Sequence, residues 1–192
     1  MRIGLDFHGL VVDSHGLKAT LLKELYNAEV PVEACRKLVQ KHCGQKAFKR
    51  YRHVQRLVYE TKKYHERLEP VSGALRRIQQ LVERKHELFI VSSSSPQAAS
   101  LARQWLKAHE VDLPFIASGR RVSKAPVVTE LRLDWFYDDD LLKLTQLMGV
   151  VPNLGLFRQP HNANIIDAGP NIVVVKSWAE VGKTPSGLTE MP

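Results

Sequence analysis

A chain of 192 residues, 44% of them apolar, can bury one sizeable core and suits one domain with a modest insertion. No stretch reaches the ~20 apolar residues that cross a bilayer, and the N-terminal apolar run is broken by Asp6, His8 and Asp13, too soon for a signal sequence. No membrane partner is expected, a cytoplasmic location is the default, and the net charge of +8 becomes informative once it is located in the chain.

In chain order, residues 2–7 (RIGLDF) read as a short buried strand ending at Asp6, with His8-Gly9 supplying a turn. Residues 18–27 follow a helical pattern with Leu21, Leu22 and Leu25 on one side. Pro31 begins another helix, broken near Gly44. Its two cysteines, Cys35 and Cys43, would lie about 12 Å apart along one helix, beyond the ~7 Å reach of a disulfide. A longer basic helix is predicted over 45–68, with Phe48, Tyr51, Val54, Leu57 and Val58 at helical spacing. Between residues 31 and 67 stand eleven Lys and Arg against Glu33, Glu60 and Glu66, so the whole surplus of positive charge belongs to this segment. Tyr51, Tyr59 and Tyr64 are interspersed with those cations and could stack bases, so nucleic acid or another polyanion is a candidate partner there.

From Gly73 onward helices and strands alternate. Residues 73–84 form an amphipathic helix (Leu75, Ile78, Leu81, Val82), 87–91 a strand, Ser92 to Ser95 a loop, and Pro96 starts a helix through Leu101, Trp105 and Leu106. A short strand at Phe115-Ile116 and a helix at 124–131 follow. Trp135 to Tyr137 is a buried strand running into Asp138, Asp139 and Asp140, and further strands are predicted at 154–157 and 172–175. The segment 182–192 lacks periodicity and reads as a flexible tail.

This alternation predicts an α/β fold, a doubly wound parallel sheet with helices on both faces. Ligands of such sheets bind at the carboxyl ends of the strands, where Asp6, Ser92 and Asp138 all fall. Ser92 and Ser93 offer hydroxyl and N–H donors to a phosphate. Asp138 and Asp139 are like charges that a cation must relieve, and oxygen ligands favour Mg²⁺. Lys124 can carry positive charge to an anion or to Asp6. Each also has a plainer reading, as helix cap, polar loop or surface lysine. Together they are the parts of phosphoryl transfer through an aspartyl-phosphate.

The segment GLDFHGLVVDS (Gly4–Ser14) resembles the first signature of haloacid dehalogenase-like hydrolases, a buried strand followed by D-x-D-G-x-x-x-D-S. FIVSS (Phe89–Ser93), Lys124 and DWFYDDD (Asp134–Asp140) are similar to the second, third and fourth signatures. LFRQPHN (Leu156–Asn162) and VVKSWAEV (Val174–Val181) bring the chain nearer to the 5′(3′)-deoxyribonucleotidase-like subgroup. The resemblance implies a core of residues 1–14 and 69–181 with a helical cap at 15–68. It implies Asp6 as nucleophile and Mg²⁺ ligand, the backbone carbonyl of His8 as a second ligand, and Asp138 with Asp139 completing the metal site. Ser92 and Ser93 would bind the phosphoryl group, and Lys124 would neutralise it. His8 stands where the pattern has the Asp that protonates the leaving group, a task imidazole can perform near neutral pH. Asp140 replaces the subgroup's usual Arg, and Arg158 its usual Asp. The implied function is Mg²⁺-dependent hydrolysis of a nucleotide or other small phosphate, weakened by His8. The alternative is a catalytically impaired protein of this fold that binds phosphorylated ligands or nucleic acid through the basic cap.

Overall fold

The computed structural model describes residues 1–29 and 44–183; the helix expected from Pro31, both cysteines and residues 184–192 lie outside them. Six strands, β1 (Arg2–Leu5), β2 (Glu87–Ser92), β3 (Phe115–Ala117), β4 (Trp135–Asp138), β5 (Asn153–Phe157) and β6 (Ile172–Val175), make one sheet in the order β3-β2-β1-β4-β5-β6. Every pairing is parallel. The central strands are apolar on both faces because both faces are covered. Along β4, Trp135 and Tyr137 enter one core and Phe136 the other; along β2, Ile90 and Val91 divide in the same way. Period-two alternation thus serves two apolar cores, as a doubly wound sheet requires.

Between β1 and β2 run α1 (Ser14–Tyr26), α2 (Gly44–Glu60) and α3 (Lys62–His65), and α4 (Ala74–Glu83) then leads into β2. Asp13 starts α1 by accepting from the N–H groups of His15 and Gly16. In its last turn Leu25, expected in the core, is 41% exposed, and the packed position goes to Tyr26, whose hydroxyl bonds His53. The buried stripe of α2 is Tyr51, Val54 and Val58. The basic helix expected to run unbroken to residue 68 is interrupted at Thr61, whose extended backbone (φ −121°, ψ 119°) separates α2 from α3. In α4 the stripe is Ala74, Arg77, Ile78 and Leu81; Val82, one residue on, turns outward. The remaining helices are α5 (Pro96–Ala108), α6 (Ala125–Glu130) and α7 (Leu141–Thr145). Among the described residues no helix is long and apolar enough to cross a membrane.

The loop after β1 is fastened from several sides. Trp178 Nε1 donates to the carbonyl of Leu10 (2.9 Å), and Trp105 Nε1 to that of Leu68 (2.8 Å). Arg77 donates twice to the carbonyl of Val181, and the Gly182 N–H donates to Tyr137 Oη at 3.0 Å. The outgoing and returning chain meet where the Asp13 N–H donates to Glu69 O and the Val71 N–H to Val11 O. Tyr137, locked by this clasp, lies against Gly155 of β5, where an added Cβ would come within 2.2 Å of the Tyr137 ring. Gly155→Ala is therefore expected to destabilise the fold by ~1–3 kcal/mol, the usual cost of overpacking a filled core. Urea unfolding measures it; an unchanged midpoint would show that the ring has room to yield.

Candidate active site

The connections leave the sheet in opposite directions on either side of the β1–β4 pair, which opens a crevice at the carboxyl ends of these two strands. The Asp6 N–H donates to Tyr137 O (2.9 Å), so the register sets Asp6 beside Asp138. Ser92 ends β2, the neighbour of β1 on the other side. Lys124, immediately before α6, brings Nζ to 2.5 Å from Asp6 Oδ1 and 2.7 Å from Asp138 Oδ2, and all three side chains are buried. Three of the positions singled out in the sequence therefore meet at one point, and the fourth, Ser92, lines the same cavity as Asp6.

Lys143, from α7, had not been anticipated. Its ammonium lies 3.6 Å from Asp138 Oδ1 and 4.0 Å from Asp6 Oδ2. A lysine one turn into the helix that follows an acidic tract was the available signal. The tract itself divides its tasks: Asp140 caps α7 by accepting from the Leu142 N–H, while Asp138 and Asp139 turn inward.

Burial raises the pKa of Asp6, the charge of Asp138 raises it further, and Lys124 and Lys143 only partly offset this. Asp138 is also buried, yet Lys124, Lys143 and the Asp140 N–H hold it below the usual carboxylate range. Asp139 is pushed up to about 6 by burial and by Asp138. Lys143 is held well above its ordinary value by Asp138, Asp6 and Asp139 in spite of burial. Asp6, Asp138 and Asp139 each offer an oxygen within 4.8 Å of the others. This compact, buried, all-carboxylate donor set fits a hard divalent cation.

Asp6 and Asp139 line a cavity of ≈ 1200 Å³. Ser92 and Ser94 are buried and share a hydrogen bond (2.9 Å); half-buried Ser93 lines the cavity, and Ser95 caps α5 and donates to Glu60. Lys49, Arg52 and Arg56 of α2 line the same cavity, as do Arg120 and Arg121 from the loop after β3. Lys18 is buried, 3.4 Å from Tyr59 Oη and 5.5 Å from the centres of the Tyr51 and Tyr59 rings.

His8 packs against Phe7, Tyr59 and His65, edge-on to Tyr59 at 4.0 Å between ring centres. Neither of its shielded ring nitrogens has a hydrogen-bond partner among the described residues. Burial, then Lys18, His65 and Lys143, lower its pKa well below the ordinary value, so the ring is neutral near pH 7. The imidazolium that would protonate a leaving group is thus disfavoured. Two other histidines, His15 and His161, reach Asp139, and the sequence had not marked either as a site residue. His161 Nε2 and Asn162 Nδ2 both bond the Asp139 carbonyl, at 3.1 and 3.0 Å, and so order the loop after β5.

A doubly wound sheet with carboxylates at the ends of β1 and β4 and a lysine between them is the arrangement of haloacid dehalogenase-like hydrolases. Solved structures agree on the fold. A HAD family hydrolase from Deinococcus radiodurans R1, solved with bound phosphate and sodium, is 14% identical with a TM-score of 0.66, over 93% of this chain and 92% of that one. A predicted phosphoglycolate phosphatase from Haemophilus somnus 129pt is 12% identical with a TM-score of 0.62, over 94% and 95%. A hydrolase from Pseudomonas syringae is 14% identical with a TM-score of 0.58, over 90% and 92%. No curated protein shows significant sequence similarity to the chain. Residues 1–184 match the sequence model of the family described as 5′ nucleotidase, deoxy (Pyrimidine), cytosolic type C protein, and the chain belongs to that family of phosphatase-like enzymes.

Removing the bridging ammonium leaves two buried carboxylates facing each other, with only Lys143 to offset them. Lys124→Met is expected to cost ~3–5 kcal/mol of stability, the range for breaking a buried ion pair from one side. Denaturant unfolding without added divalent ions checks this; a loss below the range of ordinary surface substitutions would mean that the carboxylates do not depend on Lys124.

Proposed function

We propose that this protein hydrolyses small phosphomonoesters, with a nucleotide as the leading substrate class, through an aspartyl-phosphate on Asp6. The observation that carries the reading is the placement of the Asp6 carboxylate. It is buried, bonded by Lys124 through Oδ1, and lines a cavity rich in cations together with Ser92 and Ser93. The phosphate and sodium bound to the Deinococcus radiodurans hydrolase support an anion and a cation site in this fold. Residues 1–14 and 69–181 would be the core and 15–68 a cap over the strand ends. The meeting of outgoing and returning chain at Asp13 and Glu69 supports that division, as do the α2 residues lining the cavity. A cap so placed excludes water from the reacting atoms. Cations facing Asp6 favour a small anionic substrate over nucleic acid as the partner of the basic segment.

Mg²⁺ would be held by Asp6, Asp138, Asp139 and the backbone carbonyl of His8, and would supply charge stabilisation to the phosphoryl oxygens. In the first half-reaction an Asp6 oxygen bonds to phosphorus as the ester P–O bond breaks, and the departing oxygen takes a proton. Lys124 and the serine loop bind the transferring group and compensate its charge. In the second half-reaction water attacks the same phosphorus, a base takes its proton, and phosphate and free Asp6 result. A neutral His8 has no proton to give in the first transfer and is a weak base for the second, because taking a proton would make the same disfavoured imidazolium. The first half-reaction therefore lacks its acid, and the rate should depend on how well the leaving oxygen departs unprotonated.

An aryl phosphate, whose leaving group needs little protonation, is thus expected to turn over faster than a nucleoside monophosphate. Asp6→Asn should abolish both activities. His8→Asp, which reinstates an acid, should raise nucleotide hydrolysis by up to ~10²–10⁴-fold, the worth of general acid–base help, and change aryl phosphate hydrolysis much less. A panel of both ester types with and without Mg²⁺ reads this directly. Hydrolysis that survives Asp6→Asn sinks the aspartyl-phosphate reading. An inert wild type that still binds the phosphate esters, with His8→Asp equally inert, would favour a binding protein on this fold.

A further inference from the structure

A second set of donor atoms converges on Asp139, apart from those that Lys124 bridges. His15, in the first turn of α1, brings Nε2 to 3.0 Å from Asp139 Oδ2, and His161, in the 3₁₀ turn Pro160–Asn162 after β5, brings Nε2 to 3.5 Å from the same oxygen. The two imidazole centres are 4.6 Å apart, and one ligand atom of each of the three residues lies within 4.8 Å of the other two. Donors on a tetrahedral ion with bonds of ~2.0–2.1 Å stand about 3.3 Å apart, between the two distances found here. Two imidazoles and a carboxylate make a softer donor set than the oxygen cluster of Asp6, Asp138 and Asp139, and one that prefers a borderline transition ion to Mg²⁺.

The three side chains are held in place from separate elements. Asp13 fixes the first turn of α1 through the His15 and Gly16 N–H groups. Asn162 Nδ2 donates to the carbonyls of Asp139 (3.0 Å) and Phe157 (2.8 Å), which anchors the turn carrying His161 to the ends of β4 and β5. Gly9 makes room for the carboxylate: its φ is +93°, and a Cβ there would lie 2.2 Å from Asp139 Oδ2. The Nδ1 atoms of both imidazoles are buried and have no hydrogen-bond partner among the described residues. Turning both Nε2 lone pairs to a cation moves each proton to a buried Nδ1 without a protein acceptor and gives up the 3.1 Å bond of His161 Nε2 to the Asp139 carbonyl, a cost that the metal–ligand bonds must exceed.

We propose that His15, Asp139 and His161 form a second metal site, for a divalent transition ion of the zinc type, beside the oxygen-only site and sharing Asp139 with it. Binding replaces the hydrogens that the two Nε2 atoms present to Asp139, and each imidazole proton then resides on Nδ1. All three residues line the cavity, so three protein ligands leave a coordination position facing it, open to water or to an oxygen of an anionic ligand. The proposal does not depend on the aspartyl-phosphate chemistry, because it invokes neither Asp6 nor Lys124. Its competitor is a purely positioning role, in which the imidazoles do no more than hydrogen-bond Asp139.

Co²⁺ added to the full-length, chelator-stripped protein in saturating Mg²⁺ discriminates these cases through its visible d–d absorption, with equilibrium dialysis against Zn²⁺ giving the stoichiometry. The wild type is expected to bind one equivalent with a spectrum of nitrogen-containing, low-coordinate cobalt, and Asp6→Asn should retain it. His15→Ala and His161→Ala should each weaken binding by more than the ~10–100-fold typical of losing an outer-shell partner. His161→Gln, checked by circular dichroism and thermal melting, separates ligand loss from misfolding. The proposal is overturned if the wild type takes up no Co²⁺ once Mg²⁺ is saturating. It is equally overturned if uptake is abolished by Asp6→Asn and indifferent to both histidine substitutions, which would leave cobalt in the oxygen-only site.

Discussion

The ammonium of Lys124, held between the carboxylates of Asp6 and Asp138, is the contact on which the rest of the site depends. Two carboxylates at the ends of adjacent parallel strands cannot be buried together unless positive charge stands between them. The sheet order makes this contact possible: β1 and β4 are neighbours, so the Asp6 N–H bonds the carbonyl of Tyr137, 131 positions further along the chain, and Asp138 follows at once. Lys143 adds a second cation from α7; the two lysines hold the pKa of Asp138 below the usual carboxylate range, while burial and the charge of Asp138 raise those of Asp6 and Asp139. An apolar floor beneath, with Phe136 and Tyr137 fully buried, keeps water from screening these charges.

The doubly wound sheet and the meeting of Asp6, Ser92, Lys124 and Asp138 were legible in the sequence because both follow from local rules. Apolar runs ending in polar residues mark strand termini, and parallel topology gathers those termini at one edge. What was not legible depends on how helices seat against the sheet. His15 and His161 lie 146 positions apart in the chain and meet only because the cap of α1 and the turn after β5 both close on Asp139. The break at Thr61 has the same character: nothing in the periodicity of residues 45–68 marks it, and it appears where the extended Thr61 backbone redirects the chain. Leu25 shows the limit of a helical stripe, which says which side is apolar and not how far the neighbouring surface extends.

His8 joins sequence and mechanism. Its position in the first signature suggested an acid and a base in one side chain. The surroundings of the ring, with burial against Phe7, Tyr59 and His65 and with Lys18 and Lys143 nearby, lower its pKa well below the ordinary value and so disfavour the acid form. The same positive surroundings that disfavour an imidazolium favour an anionic ligand, so the loss of an acid and the capacity to hold a phosphate have one electrostatic origin. The basic segment acquires a place in this picture: Lys49, Arg52 and Arg56 face the cavity, where their charge adds to that of Arg120 and Arg121.

The central claim is covalent chemistry at Asp6, and trapping the intermediate tests it most directly. With an aryl phosphate as substrate, the reaction can be quenched in acid during turnover and the peptides analysed by mass spectrometry. The account predicts a phosphoryl group on the peptide bearing Asp6, absent from the Asp6→Asn variant and lost on standing at alkaline pH, as an acyl phosphate must be. Steady turnover with no adduct at any quench time, or an adduct on another residue such as His8 or Ser92, would contradict it.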